Sequence, residues 1–499
     1  MTKAPPHAGS EETELKLALP SADPATLLLR LKRVPVLARR KSTTLHLHNV
    51  YFDTPELMLR QQRIALRLRR VGDEAKPLWL QTLKTAGRAD SALSQRGEWE
   101  TPVPGAALSL KALRNTPWPA IDADGHLFRA LAPAFETNFE RTLWLVRRRD
   151  GSVVEVALDI GQISAGERHT PLFELELELK AGPPSALFEI ASQIARSVAV
   201  LPATLSKAQR GYALTQDALL TAVRAAPPAL PSKLPVPSAA QRVLSEMFSQ
   251  FTSNLNALLI SDDPEVVHQA RVGWRRFKSA RRLFGPVLAL EAVPSWLPLQ
   301  ALLICLGKLR DLDVALSETL PPLAHVYVAG DPRRAEAWQH MVLSLAQATQ
   351  LQRKAVRYAL REPSVGECLL ATTQWLENLS STDAASRTVQ EPDASLRRWT
   401  QTRILRLHGQ LKAAARKSED SEQKHRVRIL AKRMRYDLEA LFDLLPRKRA
   451  QRWRTQALEL QTSLGATRDA MQAASLLVEL EADRGLVEFL RGFALGRQA

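Results

Sequence analysis

The spacing of apolar residues changes period once along the chain, and that change limits the possible folds more than any other feature. Through the first two hundred residues, apolar and polar side chains alternate in short runs: TELKLAL, TLHLHNVYFDT, IALRLRRV, LWLQTLKT, RTLWLVRRR, SVVEVALDIG and LFELELELK. Gly, Pro and Asp separate the runs, and period two between turn residues predicts strands. Residues 25–32 and 185–198 carry helical spacing instead. After Gln241 the spacing is helical nearly to the end, broken at SDDPE, GP, LPP, AGDPR, REPS and EPDAS. Between the two regimes lies RAAPPALPSKLPVPSA, which has no period and reads as a semi-rigid linker. The expected class is α+β, with a strand domain at 8–220, a Pro/Ala-rich linker at 221–239 and an all-helical domain at 240–499.

A chain of 499 residues is too long for one core. Its formal charge of +17 calls for an anionic partner. From Lys233 onward there are 39 Lys+Arg against 28 Asp+Glu, and before it 30 against 24, so the helical half carries most of the excess. The longest uncharged run, 292–307, contains Pro294 and Pro298 and is too short to span a bilayer, so no membrane is expected. The opening MTKAPPHAGSEETE lacks the apolar centre of a signal peptide. Cys305 and Cys368 form no metal spacing and read as reduced core residues, which places the protein in the cytoplasm.

Alternation puts Glu174, Glu176, Glu178 and Lys180 on one strand face, with Phe173, Leu175, Leu177 and Leu179 on the other. Glu12, Glu14 and Lys16 share a face in the first strand, as do Arg67 and Arg69 in another. Lys84, Arg96, Glu98, Glu100, Arg141 and Asp159 extend the charged set. Solvated sheet faces mix the two signs, whereas here acids and bases segregate by strand. Metal-assisted phosphoryl transfer needs both. Hard Mg²⁺ or Mn²⁺ takes carboxylate oxygens, and Arg and Lys grip phosphate oxygens and developing charge. Buried alone, either set is costly; with cation and polyphosphate present they neutralise one another. His46 and His48 alternate as HxH, but imidazole suits softer metals. Tyr51 and Phe52 read as packing, and Arg147 to Arg149 as a solvated run.

The ExExK triplet Glu12, Glu14 and Lys16 resembles the signature of the CYTH, or triphosphate tunnel metalloenzyme, superfamily. YFDTPELML, ALRLRR, LQTLK, RGEWE, ALDIGQISAGE, FELELELK and LSKAQRGYAL follow in that family's order, over residues 11–216. The resemblance implies an eight-stranded antiparallel tunnel that hydrolyses triphosphate-type substrates with a divalent metal. It implies metal ligation by Glu12, Glu14, Asp159 and two of Glu174, Glu176 and Glu178. All three share parity; Glu176 and Glu178 are favoured. Lys16, Arg67, Arg69, Lys84, Arg141 and Lys207 would hold phosphates, Lys207 on family position alone. Glu12, Glu14, Lys16 and Lys84 form the catalytic set.

The helical half repeats. HQARVGWRRFKSARRLF begins at His268 and HRVRILAKRMRYDLEALF at His425, followed by LGKLRDLDVA and LGATRDAMQA. A period near 157 is too long for a solenoid and predicts a duplicated bundle, at about 240–385 and 395–499. His268, Arg271, Arg275, Lys278 and Arg282 lie on one helix face, and His425, Arg428, Lys432 and Arg435 repeat that register. No acid interrupts either stripe, so each reads as a polyanion groove. Arg310-Asp311 and Arg468-Asp469 read as structural pairs orienting the basic helices. Residues 240–495 resemble a CHAD domain, which implies inorganic polyphosphate binding in a basic channel.

The function expected is hydrolysis of inorganic triphosphate to pyrophosphate and phosphate with Mg²⁺ or Mn²⁺, with polyphosphate bound by the helical domain. An organic triphosphate such as ATP or thiamine triphosphate is one alternative substrate. A non-catalytic polyphosphate-binding or targeting protein is another reading. Aromatic content of 6% and the lack of a GxxG or RNP-like segment argue against nucleic acid.

Overall fold

Eight antiparallel strands close on one another to form a barrel. The structure is a computed structural model that describes residues 10–20, 23–72, 77–87, 91–288, 293–381, 395–416, 421–463 and 466–496. Around the wall run β1 (Ser10–Ala18), β8 (Arg168–Ala181), β7 (Val153–Ala165), β6 (Ala132–Arg147), β2 (Ser42–Asp53), β3 (Ala65–Val71), β4 (Leu78–Lys84) and β5 (Leu93–Val103). Pairing of β5 with β1 closes the ring, and the two-residue β9 (Leu201–Pro202) adds to β1. Register sets opposite charges side by side: Lys16 faces Glu176, Glu12 faces Arg96, Lys84 faces Glu98, and Arg141 faces Asp159.

The barrel is inverted relative to an ordinary apolar-filled one. Leu15, Leu17, Val154, Val156, Leu175 and Leu177 point outward and are fully buried. They pack against Leu27 and Leu31 of the Pro24–Arg33 helix and Leu187, Ile190 and Ile194 of the Ser185–Ala195 helix. Each such side chain withdrawn from water is worth roughly 1.5–3 kcal/mol. Most of the strand domain's apolar packing on these strands therefore lies outside the wall. Alternation leaves the interior to the charged set, except where Leu47, Tyr51, Phe135, Phe139, Ile163 and Leu172 pack with Tyr212 and Leu214. The helix Lys207–Thr215 rests on the inner face: a Cβ at Gly211 would lie 2.1 Å from the Phe135 ring, and Phe135 shares parity with Arg141. Only glycine permits that approach.

Two compact units make up the chain. The first spans Met1–Thr221 with Leu259–Ser261 and Leu360–Gln374; the second comprises Ala222–Leu258, Asp262–Ala359 and Trp375–Ala499. In the second unit the helix Val236–Ala257 begins inside the stretch read as linker. Pro237 sits in its first turn, where a missing N–H costs nothing. The two basic helices, Pro264–Phe284 and Ser421–Leu441, are each 21 residues long and pack against each other. Val267, Ala270, Trp274, Phe277 and Phe284 on one, and Val427, Ala431, Met434, Leu438 and Leu441 on the other, are buried at the predicted spacing. A separate core joins Leu312, Met341 and Leu345 of the first repeat to Leu477, Leu486 and Leu490 of the second, so the repeats interlock. Among the described residues, no helix is long and apolar enough to cross a membrane.

Candidate functional site

Lys207 is placed by its own helix start. Ser206 accepts from the Gln209 amide at 3.2 Å while Gln209 Oε1 accepts from the Ser206 amide at 2.8 Å, a reciprocal cap that fixes the first turn. The ammonium of Lys207 then reaches the barrel wall, 2.7 Å from Asp159 and 3.0 Å from Glu176, and also pairs with Glu174. It lines a cavity of about 340 Å³ inside the barrel. Among the described residues eight bases and seven acids line that space, so it is close to balanced rather than a one-sign trap.

The charges form two centres. In one, Lys84 donates to Glu12 at 2.7 Å and pairs with Glu98 at 3.1 Å, while Arg96 bridges Glu14 at 2.6 Å and Glu12 at 3.2 Å. Lys16 closes on Glu14 at 2.5 Å. In the other, Arg141 grips Asp159 through two hydrogen bonds of 2.7 and 2.6 Å and reaches Glu176 at 2.6 Å. Asp159, Glu174 and Glu176 each offer an oxygen within 4.8 Å of the others, a set that could hold a metal ion. All the donors are carboxylate, which suits a hard divalent cation. Glu176 and Glu174 thus stand together, and Glu178 turns to Lys180 at 2.5 Å. Glu12 and Glu14 belong to the first centre.

Neighbours separate the acids by protonation. Burial pushes Glu176 upward, yet Lys207 and Arg141 outweigh it and hold the carboxyl well below its usual range. For Glu174 burial prevails over Lys207, and the carboxyl is raised. Glu98 is drawn down to about 2 by Lys84 and Arg67 against the pull of burial. Arg69, buried and beside Arg67, falls to about 10. It donates to Asn49 Oδ1 at 2.8 Å, and Arg67 lies 3.5 Å from Glu98.

Every residue predicted for the tunnel thus faces the interior network or its rim. Arg96, Glu98 and Glu100 carried no assigned role, although the alternation of QRGEWE already placed them on the charged face. Arg210, 3.3 Å from Glu174, left no strand signal because it sits on the inserted helix. His48 faces Glu136 at 3.0 Å, and Arg148 pairs with Glu189 at 2.5 Å, both outside the cavity.

In the helical unit Arg271, Arg275, Arg428 and Lys432 come together with Arg468. Burial, then Arg275, Arg428 and Arg468, lowers Lys432 to about 7. Arg271 and Arg428 are lowered too, each by burial and a neighbouring arginine. Gly307 makes room for this cluster: a Cβ there would lie 2.9 Å from Arg271 Nη1. Asp311 faces Arg271 and Arg468, whereas Arg310 pairs with Glu318 at 2.7 Å. His268 is half-buried and lowered by burial and Arg310. Arg435 lies over the Tyr436 ring at 4.9 Å. Lys278 and Arg282 stand exposed farther along their helix. The side chain of His425 lies outside the described residues. Arg276, next to the stripe, is fully buried and hydrogen-bonds Gln250 at 2.5 Å.

An eight-stranded tunnel with a charged interior is joined in one chain to a basic helical unit. The CYTH domain family matches residues 10–212 and the CHAD domain family residues 242–478, so the chain is a CYTH domain followed by a CHAD domain. An inorganic triphosphatase from Haemophilus influenzae is 35% identical over 211 residues, covering 42% of this chain and 57% of that protein. The chain thus spans little more than half the length of that relative. The CHAD domain of the plant Ricinus communis is similar at 27% identity and a TM-score of 0.47, over 56% of this chain and 91% of that one. A Hippeastrum protein described as a putative adenylyl cyclase with a dominant triphosphatase activity aligns at 17% identity and a TM-score of 0.29, over 40% and 96%.

Proposed function

We propose that the barrel hydrolyses inorganic triphosphate to pyrophosphate and phosphate, and that the helical domain binds inorganic polyphosphate. The observation that carries the first part is the paired arrangement of acids and bases inside a closed wall whose apolar residues face outward. The triphosphatase relative supports the same reaction. We take the functional domains as 8–220 and 240–499, joined through 221–239, and the setting as cytoplasmic, which the two free cysteines support.

Asp159, Glu174 and Glu176 would hold Mg²⁺ or Mn²⁺, with Glu12 and Glu14 facing the same space. When bound, that cation neutralises phosphate oxygens and activates water. The chain does the rest. Arg67, Arg69, Lys84 and Arg141 bind and align the phosphate chain, and their charge meets that developing at the transferred phosphorus. Lys16 and Lys207, paired with carboxylates in this arrangement, supply further ammonium donors. Glu176 is held below its usual range by Lys207 and Arg141, and Glu174 is raised by burial. In the helical domain Arg271, Arg275, Arg428 and Lys432 lie too close together to be comfortable without an anion, which supports polyphosphate as their ligand.

Phosphate release from triphosphate, ATP, thiamine triphosphate and long polyphosphate, each with Mg²⁺ or Mn²⁺, tests the reading. Triphosphate should turn over fastest, and equal turnover of ATP would refute the specificity.

A further inference from the structure

Among the described residues that line the cavity, Tyr51 carries a hydroxyl on which Arg67, Lys207 and Arg69 act. Tyr51 lines the cavity and is 4% exposed. Its ring is held from behind: it stacks on Phe135 with centroids 4.6 Å apart and planes 16° from parallel. Phe135 in turn meets the Tyr212 ring edge-on at 4.9 Å, and Tyr212 donates to Asp53 at 2.8 Å. The aromatic column fixes the phenol where apolar packing gives way to charged lining.

Register places Tyr51 opposite Arg67 across β2 and β3. Among the charges that act on the phenol are Arg67, Lys207 and Arg69, all of which line the same cavity. A guanidinium can only donate, so Arg67 cannot take the phenolic proton. Arg69 and Lys207 cannot take it, being donors as well. Asn49, two residues before Tyr51 on the same strand, accepts from Arg69 through its Oδ1 at 2.8 Å. Among the described residues no carboxylate or carbonyl hydrogen-bonds the phenol. A buried donor with no protein acceptor, ringed by three groups that bind anions, is complementary to an anionic oxygen arriving from the cavity.

We infer that Tyr51 donates its phenolic proton to a phosphate oxygen of the bound triphosphate, the oxygen that Arg67 also contacts, and so acts as a substrate-binding group of the tunnel. The inference rests on the triphosphatase reading of that cavity. The donor must be neutral to work. Burial would raise the phenol, but Arg67, Lys207 and Arg69 together bring it below its ordinary value of 10.0. An ionised phenolate has no proton to give and repels phosphate. Activity in the free-enzyme limit must therefore decline on the alkaline side as Tyr51 loses its proton.

The full chain and its Tyr51→Phe variant decide the matter, since phenylalanine keeps the stack on Phe135. Three measurements are needed: triphosphate affinity by calorimetry without metal, kcat/KM for triphosphate with Mg²⁺, and the pH profile of kcat/KM. Loss of a hydrogen bond to a charged acceptor predicts a drop of roughly 10- to 100-fold in affinity and in kcat/KM. The alkaline limb should move upward in the variant, toward the value of about 10 at which Arg69 loses its proton. Unchanged affinity, turnover and limb in a variant that melts where the wild type does would overturn the role of Tyr51. A wild type that binds triphosphate more tightly than the variant yet releases no phosphate would keep Tyr51 as a binding group and remove the hydrolytic reading. Binding by neither protein removes both. Should the variant fail to fold, an ultraviolet difference spectrum of the wild type with no tyrosine perturbation on adding triphosphate would reject the inference.

Discussion

The barrel interior and the cation cluster on the two basic helices use the same side chains to opposite effect. In the barrel cations have carboxylates beside them: Lys84 with Glu12, Arg96 with Glu14, Arg141 with Asp159, all between 2.6 and 2.7 Å. In the helical cluster, cations have chiefly other cations, and Lys432 is driven to about 7. Pairing keeps charges ionised when they leave water; crowding of one sign drives protons off. The proposed ligands follow that difference: a cation with a short phosphate chain for the paired interior, and a polyanion for the cationic cluster.

The largest test of that contrast is Glu176→Gln. It removes the carboxylate that Arg141 and Lys207 share, and phosphate release should fall by at least about 100-fold, with polyphosphate binding unchanged in the same sample. The complementary variant reverses charge at Arg271, Arg275, Arg428 and Lys432. Polyphosphate affinity, followed by calorimetry, should drop by roughly 100-fold or more, and triphosphate turnover should stay within about twofold. If either variant damages both activities, the two sites are not independent.

A third test uses pH. Lys432 carries its proton below about 7 and loses it as pH rises through that value. A bound polyanion restores the proton, so affinity for polyphosphate should weaken on going from pH 7 to 9, by up to about tenfold per unit. Lys432→Met should flatten that slope while Glu176→Gln leaves it intact. The smallest effect is expected at Gly307. Alanine there meets only the far end of Arg271, 2.9 Å from the new Cβ, so the guanidinium can shift aside. The helix should gain up to about 1 kcal/mol, read as a higher Tm, while polyphosphate affinity falls by about two- to threefold.

Much of this was legible before any coordinates. Period two marked seven of the eight wall strands directly, and parity alone assigned Glu12, Glu14, Lys16, Arg67 and Arg69 to a shared kind of face. The helical stripes were equally plain, since Val267, Ala270 and Trp274 had to be buried together and the basic residues could not join them. What stayed hidden were relations between segments far apart in sequence. Glu174, Glu176 and Glu178 are indistinguishable by alternation. Only the β7–β8 register, which sets Asp159 against Glu174, chooses the first two as its companions.

The amino-acid sequence by itself determined the two architectures and which side chains could share a face, because period is a local property of the backbone and survives without knowledge of its neighbours. Tertiary structure decided the rest: that the apolar face of the strands turns outward to the helices, that Lys207 and Arg210 enter from a helix laid on the inner wall, and that burial raises Glu174 while Lys207 and Arg141 lower Glu176. Those outcomes depend on distances of a few ångströms between elements separated by tens to more than a hundred residues, and electrostatic energy at such range is set by position, which no local pattern encodes.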